Sequence, residues 1–262
     1  TRLEIVTTKS KEAVEVVRHS AAHMMAQAVQ EIWPEVKVTI GPVVDNGFYY
    51  DFDSPFNFTE EHFAQIEKKM EEIQKKDLPL VRENWPINKA IETFAGMKER
   101  FKVELIQDLA AKGETVVGIY HQGPWFDLCR GPHVQSTGEI KAFKLMSVAG
   151  AYWKGDQANQ MLQRVYATAF QDKKELDEYL KNLEEAKKRD HRKLGKELGM
   201  FTFHPWAPGS PFFTGRGAIV YNELQKYLRE LYFKYGYNEV ITPQFFDTEL
   251  FKTSGHLANY KD

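Results

Sequence analysis

A segment rich in proline and glycine constrains the fold of this sequence more than any other feature. Residues 204–217, HPWAPGSPFFTGRG, contain three prolines and three glycines in fourteen positions. Proline lacks a backbone N–H donor, and glycine loses much conformational freedom on folding, so this segment cannot continue a helix. A chain of 262 residues is also long enough for more than one core. We therefore expect two domains, with a new one beginning around this loop.

Helix and strand patterns alternate in the first part of the chain, which predicts an α+β fold. Helical periodicity begins with Ser10 as the N-cap and ends near Pro34. Residues 45–47, Asp-Asn-Gly, then predict a hairpin between two strands. A second helix is predicted from Thr59, and its buried stripe is Phe63, Ile66, Met70 and Ile73.

The next hundred residues carry further strand signals. Residues 78–84 predict a strand, and residues 87–100 predict a shorter helix. Residues 114–156 are dense in glycine and in side chains that favour strands, which predicts three or four strands joined by turns.

The second part of the chain begins with a connecting segment. Residues 172–198 have leucines in helical register with charges between them, which predicts one long amphipathic helix. Beyond the loop, a helix is predicted over 216–235, followed by a short strand over 238–242 that Pro243 interrupts. Only 19 residues follow Pro243, so we expect this second domain to stop before it closes a core.

The charge and the cysteine content restrict the class of protein. The net charge is -2, so any contact with nucleic acid needs a local basic patch. A single cysteine cannot form an internal disulfide, and a reducing cytoplasm is the expected location. No apolar run approaches the roughly 20 residues that cross a bilayer, so no membrane association is expected.

Two histidines one helical turn apart mark the first candidate site. His19 and His23 lie within residues 18–28, RHSAAHMMAQA, and project from one face of the predicted helix. That face lies roughly 140° to 180° from the apolar stripe, so neither histidine is expected in the core. The spacing suits two metal ligands or two polar groups of one small site. A solvated pair is the alternative, because the pattern lacks the glutamate of a metalloprotease helix.

A second candidate group follows a predicted strand. Cys129 and His133 in FDLCRGPH are also four residues apart, but Gly131 and Pro132 require a turn between them. The two-residue period of a strand places Asp127 on the same face as the cysteine. The three histidines and the cysteine have the ligand types of a zinc site, although no CxxC pair supports that interpretation. The alternative is an inert thiol.

Several long blocks of the sequence carry a family resemblance. They are RHSAAHMMAQA, IGPVVDNGFYYDF, FDLCRGPHVQSTGEIKAFKL, GAYWKGD, MLQRVYATAF, RDHRKLGKELGMF and YGYNEVITPQFFDTELFKTSGH. Together they resemble bacterial threonyl-tRNA synthetases. The resemblance implies the tail of a preceding domain at 1–9, an editing domain at 10–171, a linker helix at 172–198, and the start of a class II catalytic domain at 199–262. It implies a two-layer α+β editing domain with an antiparallel sheet and helices, followed by a truncated α/β segment.

Carried over position by position, the resemblance implies a set of pocket residues. The catalytic set is His19, His23, Lys102, Asp127, Cys129 and His133, and the wall around the amino acid is formed by Tyr50 and Gly41. As hypotheses, His19 or His23 positions or deprotonates a water, Lys102 stabilises negative charge or the ribose, and Asp127 binds the ammonium group. Cys129 is expected to be a polar wall contact and not a nucleophile. Zinc binding by the three histidines and the cysteine stays open.

The activity implied by the resemblance is proofreading. Serine lacks one methyl group of threonine, and a missing methyl gives only about 1–3 kcal/mol of discrimination in a pocket. A second pocket too small for threonine can hydrolyse mischarged seryl-tRNA(Thr) and spare the correct product. No cofactor is expected for this reaction. In the parent enzyme, which attaches threonine with ATP and is expected to be a homodimer, ATP, Mg and Zn belong to the missing part of the catalytic domain.

A local basic patch is available for tRNA. Residues 187–196, KKRDHRKLGK, contain six Lys or Arg and one Asp. The predicted tRNA-binding residues are Lys187, Lys188, Arg189, Arg192 and Lys193. A solvated helix face is the alternative for this segment. For the chain as a whole, the alternatives are a zinc-dependent hydrolase of a small substrate and a noncatalytic tRNA-binding module.

Overall fold

The computed structural model describes Thr7, Ser10 and residues 12–259. Two compact units divide the chain between Asn182 and Leu183. The predicted tail of a preceding domain, residues 1–9, lies outside the described residues except for Thr7, and it stays a prediction. The mixed arrangement of helices and antiparallel sheets agrees with the predicted α+β class. No helix among the described residues is long and apolar enough to cross a membrane.

The first unit contains most of the regular structure of the chain. Its helices are α1 (Ala13–Ile32), α2 (Glu60–Lys75), α3 (Ile87–Gly96), α4 (Arg100–Ala111) and the first part of α5 (Lys173–Lys188). Its strands are β1 (Lys37–Val38), β2 (Val43–Val44), β3 (Gly47–Asp53), β4 (Leu80–Pro86), β5 (Val116–Gln122), β6 (Trp125–Leu128), β7 (Ala142–Tyr152) and β8 (Met161–Phe170).

Two antiparallel sheets organise the first unit. The larger sheet has the order β1-β3-β8-β7, with β2 also paired to β3, and the smaller sheet has the order β4-β5-β6. In the larger sheet Tyr50 lies opposite Val165, and in the smaller one Tyr120 lies opposite Asp127. Because β6 is a short edge strand, the loop that follows it is free to turn towards α1.

Each sheet is covered by its own helices. α1 packs on β3 and β8, and α2 packs on α1 and β7, with Met25, Phe48 and Ile66 fully buried between them. The smaller sheet packs against α3 and α4 through a separate cluster that includes Phe94 and Ile119. Burial of such apolar side chains is the main source of stability for each layer. The site described below lies where these two parts of the first unit meet.

Several predicted elements of this unit are confirmed. α2 follows Thr59, its buried residues are the predicted stripe, and residues 45–46 form the turn of the β2–β3 hairpin. Three strands lie within residues 114–156, as expected. The first helix begins later than predicted, with Glu12 as N-cap, because the Ser10 hydroxyl accepts the Thr7 N–H.

The helix predicted over residues 87–100 forms as α3 but ends at Gly96, and a separate helix, α4, begins at Arg100. Lys98 has a φ of 59°, in the left-handed region that ends a right-handed helix. The second of these helices was missed by the sequence pattern, and it carries Lys102 into the site.

The second unit holds the remainder of α5 and the elements α6 (His191–Glu197), β9 (Phe201–Phe203), β10 (Pro211–Phe213), α7 (Gly215–Lys234), α8 (Thr248–Thr253) and α9 (His256–Asn259). The single long helix predicted over 172–198 is interrupted, because Asp190 accepts the Arg192 N–H and caps a new helix. The loop 204–210 joins the antiparallel strands β9 and β10, and α7 matches the predicted helix.

The strand predicted over 238–242 does not form. Val240 is 76% exposed and Ile241 is 98% exposed, and no strand among the described residues pairs with this segment. An isolated strand leaves its backbone hydrogen bonds to water and buries no side chain, so its β-favouring residues alone cannot hold it in a sheet.

Candidate active site

Elements of the first unit enclose a cavity of about 750 Å³. α1 supplies two side chains, β3 and α4 supply one each, and β6 with the residue after it supplies two more. The predicted site residues on its wall are His19, His23, Gly41, Tyr50, Lys102, Asp127 and Cys129. His133 lies behind the thiol and completes the histidine cluster. All eight predicted residues of the pocket are therefore brought together.

The three histidines surround the thiol of Cys129. Its Sγ lies 3.2 Å from Nε2 of His19 and 3.2 Å from Nε2 of His133. With His23 included, one ligand atom from each side chain lies within 4.8 Å of the others. Such a cluster can hold one small polar species, either a water or a divalent metal ion.

Hydrogen bonds on the far side of two rings fix their tautomers. Nδ1 of His19 is 3.1 Å from the Pro132 carbonyl, which can only accept, so this nitrogen is the donor. Nδ1 of His133 is 3.1 Å from the Ser20 hydroxyl, whose own proton is donated to the Val16 carbonyl at 2.8 Å. Both rings therefore turn an Nε2 lone pair towards the sulfur.

One thiol proton cannot satisfy two lone pairs. The Cys129 S–H can be donated to His19 or to His133, and Sγ itself accepts the Gly131 N–H at 3.3 Å. Of these two histidines, only His19 lines the cavity. When the thiol bonds to His133, the Nε2 lone pair of His19 is left to accept a proton from a water in the cavity.

Burial keeps the whole cluster uncharged. Desolvation lowers the pKa of His19 and lowers that of His23 and His133 well below the ordinary histidine value. Neighbouring histidines lower the pKa of His23 and His133 further. Desolvation likewise raises the pKa of the Cys129 thiol to about 11. Near pH 7 the set consists of neutral imidazoles and a protonated thiol, which favours base catalysis over nucleophilic attack by sulfur.

The prediction that both histidines lie outside the core is wrong for His23. Its side chain is buried, and His19 is half-buried. The His23 ring packs edge-on against Trp125, with ring centres 5.7 Å apart. The helix is also contacted from the small sheet, through Trp125, and from the loop after β6, through the Pro132 carbonyl. A single apolar stripe could not reveal this second contact.

A buried ion pair forms the floor of the cavity. Nζ of Lys102 lies 2.5 Å from Oδ1 of Asp127, and both side chains are about 2% exposed. The Tyr50 hydroxyl donates to Oδ2 of Asp127 at 2.6 Å and accepts from Lys102 at 3.0 Å. Burial and the Asp127 carboxylate raise the pKa of Tyr50, so its phenol stays a donor. The Asp127 carboxylate already has a cation, and a substrate ammonium group would have to compete with Lys102.

Gly41 and Tyr50 form a close wall. A Cβ atom at position 41 would lie 2.3 Å from Cδ2 of the Tyr50 ring, so only glycine fits there without moving the ring. The ring is about 1% exposed and stacks on Phe52, with centres 5.2 Å apart. This packing makes the wall rigid and gives the cavity a fixed size on this side.

Two residues that orient the cluster were not predicted from the sequence. Ser20 holds His133, and the Pro132 carbonyl holds His19. The sequence signal for Ser20 is its place inside the predicted helix next to His19, since a helical serine commonly bonds back to the carbonyl four positions earlier, as Ser20 does to Val16. The carbonyl of residue 132 gives no sequence signal, because its direction depends on the loop conformation.

The turn that brings Cys129 and His133 together depends on Gly131. Its φ of 75° is left-handed, and an added Cβ would lie 2.1 Å from the Tyr120 hydroxyl oxygen. We expect Gly131→Ala to lower the free energy of unfolding by about 1–2 kcal/mol more than Gly113→Ala does. The control Gly113 has a φ of 89° but nothing within 4 Å of the added Cβ. Urea denaturation tests this prediction, and equal losses for the two variants would contradict it.

The predicted tRNA-binding cations lie on α5, on α6 and in the turn between them, and each is exposed. Most of them have a carboxylate neighbour within the same segment. Lys188 and Arg189 pair with Glu185 at 3.0 and 3.8 Å, and Arg192 pairs with Asp190 at 2.6 Å. Lys193 pairs with Glu197 at 4.0 Å. Exposed pairs of this kind are weak, so they do not prevent these cations from binding phosphate. Their role in tRNA binding stays a prediction.

Comparison with known proteins gives the family of the chain. Residues 117–166 match the family described as the threonyl and alanyl tRNA synthetase second additional domain. The whole chain is 76% identical to the threonine–tRNA ligase of Bdellovibrio bacteriovorus over 263 aligned residues. The chain belongs to the bacterial threonyl-tRNA synthetase family.

Other threonine–tRNA ligases match over the same span. The chain is 54% identical over 261 residues to that of Anaeromyxobacter dehalogenans and 50% identical over 262 residues to that of Thiobacillus denitrificans, and each match covers all of this chain. The chain spans about 40% of the length of these synthetases. The match to the additional domain contains Asp127, Cys129 and His133, whereas the histidines of α1 lie outside it.

Proposed function

We propose that this chain carries the editing activity of a threonyl-tRNA synthetase, the hydrolysis of the ester bond in mischarged seryl-tRNA(Thr). The convergence of three neutral imidazoles on one thiol, at the wall of a 750 Å³ cavity, carries the proposal. An aminoacyl ester is activated, so its hydrolysis needs a positioned water and a stabilised oxyanion. Neutral imidazoles can accept a proton from that water near pH 7.

His19 is the base in this mechanism. Its Nδ1–H is held by the Pro132 carbonyl, and its Nε2 lone pair is at the cavity wall. The water oxygen bonds to the ester carbonyl carbon while Nε2 takes its proton. The tetrahedral intermediate then releases serine as the bond to the ribose oxygen breaks, and the proton returns to that oxygen. Lys102, whose ammonium group lines the same cavity, stabilises the developing negative charge or holds the terminal ribose.

The wall formed by Gly41 and Tyr50 provides the size limit. Because the ring is buried and locked by its bonds to Lys102 and Asp127, it cannot yield to an added methyl group. Threonine would clash where serine fits, which gives the second step of discrimination that one pocket cannot supply. For Asp127 the proposal is a contact with the substrate ammonium group, which takes over a hydrogen bond now made by Lys102.

A metal-dependent version of this activity is the second candidate. The donor set of three histidines and one cysteine fits zinc, and the opposite ring nitrogens of His19 and His133 are already hydrogen-bonded, as metal-ligating imidazoles usually are. Bound there, zinc would act as a Lewis acid that lowers the pKa of the attacking water. His19, His23, Cys129 and His133 would be its ligands.

The remaining proposals concern the longer parent protein. By family membership we infer that the parent attaches threonine to tRNA(Thr) with ATP, works as a homodimer in the cytoplasm, and uses Mg and Zn in the rest of its catalytic domain. The present chain would bind tRNA through Lys187, Lys188, Arg189, Arg192 and Lys193. It would not aminoacylate by itself.

Deacylation by the purified chain tests the proposal. Release of serine from seryl-tRNA(Thr), with threonyl-tRNA(Thr) cleaved at least tenfold more slowly, is the expected result. Metal content measured on the same sample separates the two versions, because stoichiometric zinc and loss of activity with a chelator would favour the metal site. Binding of tRNA without turnover of either ester would contradict the proposal and favour a noncatalytic module.

The thiol is expected to be dispensable for chemistry. Cys129→Ser keeps a hydrogen-bonding group at the same place, so deacylation of seryl-tRNA(Thr) should fall by less than about tenfold. The expectation follows from the raised pKa of the thiol, which keeps it protonated. Single-turnover kinetics with mass spectrometry provide the test. Complete loss of activity, together with a seryl-enzyme trapped in the wild type, would show the covalent route instead.

A further inference from the structure

Cationic side chains gather at the mouth of the cavity and were not part of the predicted site. Arg82 from β4, Arg130 from the loop after β6, and Lys112 after α4 all line the cavity, and all three are exposed. They come from three separate segments of the first unit. Their shared position therefore results from the packing of the small sheet with α4.

Arg82 lies directly over the backbone of the site. An added Cβ at Gly118 would be 3.4 Å from Nε and 3.5 Å from Nη2 of Arg82, and 2.6 Å from the Cys129 carbonyl oxygen. The guanidinium group thus covers the glycine that also touches the residue bearing the thiol. Because Gly118 has no side chain, the guanidinium can approach the strand closely, beside the residue whose carbonyl accepts the Cys129 N–H.

The charges of these cations are not neutralised within the protein. Among the described residues, no carboxylate lies within salt-bridge distance of Arg82, Arg130 or Lys112. The two acidic residues at the same rim are Asp108 and Glu114. Asp108 already pairs with Lys154 at 2.5 Å, so the rim keeps an excess of positive charge.

We propose that Arg82 and Arg130 form a binding site for a phosphodiester group of the RNA end whose ester enters the cavity. This inference rests on the proposed function and assigns the group that places the ester. A planar guanidinium can donate two parallel hydrogen bonds to phosphate oxygens, which fixes position as well as charge. Two such groups beside the cavity hold the terminal nucleotide so that its ribose ester faces His19. Both arginines would bind and place the RNA end, and neither is assigned a step in the proton transfer.

The test compares two esters that differ in phosphate. The 262-residue chain and its variants Arg82→Gln and Arg130→Gln are assayed with seryl-tRNA(Thr) and with 2′(3′)-O-seryl-adenosine, which has no phosphate. Each variant should lower kcat/KM for seryl-tRNA(Thr) by about ten- to hundredfold, because a hydrogen bond to a charged group is lost. Turnover of seryl-adenosine should change by less than about twofold. Lys68→Gln, an exposed cation on α2 outside the cavity lining, is the control and should leave both reactions unchanged.

Salt dependence supplies a readout that a structural role would not move. Each lost phosphate contact should reduce the slope of log(kcat/KM) against log[salt] by about 0.7 for single-stranded RNA. Equal losses with both esters would overturn the proposal, because they would indicate a damaged cavity. Unchanged turnover of seryl-tRNA(Thr) would overturn it as well.

The failure of the proposed function is distinguishable from the failure of this site. A wild-type chain that cleaves neither ester contradicts the editing activity. Binding of the single-stranded trinucleotide CCA, measured by fluorescence anisotropy, then decides on the site. Weaker binding by Arg82→Gln and Arg130→Gln, but not by Lys68→Gln, supports the phosphate site, and equal binding by all variants overturns it.

Discussion

Replacing Lys102 by methionine is expected to lower the free energy of unfolding of the first unit by about 3–5 kcal/mol. The lysine and Asp127 are both buried, and their charged atoms lie 2.5 Å apart. Removal of the ammonium group leaves a carboxylate in the interior whose hydrogen-bond partners, among the described residues, are the Tyr50 hydroxyl and the Leu128 N–H. Urea denaturation followed by tryptophan fluorescence measures the change, since four of the five tryptophans lie in the first unit.

Matched variants show whether the charge is the cause. Lys102→Met combined with Asp127→Asn removes the unpaired carboxylate charge and should recover a large part of the lost stability. If Lys102→Met alone does not fold, the double variant should fold. Lys68→Met, at an exposed position, should change stability by less than about 0.5 kcal/mol. A loss below 1 kcal/mol for Lys102→Met would contradict the buried pair.

Replacing His19 by asparagine is expected to reduce the rate of seryl-tRNA(Thr) deacylation by about 10²- to 10⁴-fold. The amide N–H of asparagine can occupy the place of Nδ1 and keep the bond to the Pro132 carbonyl. The proposed base at Nε2 is lost, so the variant separates proton transfer from loop structure. Single-turnover assays with saturating enzyme measure the chemical step directly.

Two control measurements show whether the loss of activity in His19→Asn comes from the loss of the proposed base. His121→Asn alters a histidine on β5 that does not line the cavity, and it should keep full activity. The thermal unfolding midpoint of His19→Asn should stay close to that of the wild type. Deacylation within tenfold of the wild type would remove His19 from the role of base and point to His23.

The extent of sequence-based prediction differs between elements of the fold. α2 was predicted correctly with its whole buried stripe, because one face of that helix is apolar and the other is solvated. α1 was located correctly, but its second buried face was not, because histidine, serine and alanine there resemble a solvated surface. The strand predicted over 238–242 was wrong, since a strand needs a neighbour and local β-propensity supplies none.

The site shows the same division. His19 with His23, and Cys129 with His133, were found because each pair lies within one short segment whose spacing has a chemical meaning. The resemblance to threonyl-tRNA synthetases added Lys102, Tyr50 and Gly41, which carry no local signal. Arg82 was missed, because a lone arginine on a strand is usually a solvated side chain, and only the packing of β4 places it over Gly118.

By itself, the sequence predicted the candidate site residues and determined their short-range spacing, since helical and turn geometry follow from a few adjacent residues. Only the tertiary structure decided their charge state and orientation. Burial keeps the three imidazoles neutral, and hydrogen bonds to the Pro132 carbonyl and to Ser20 turn the lone pairs of His19 and His133 towards the thiol. These properties depend on water exclusion and on contacts between residues more than 100 positions apart, which no local pattern encodes.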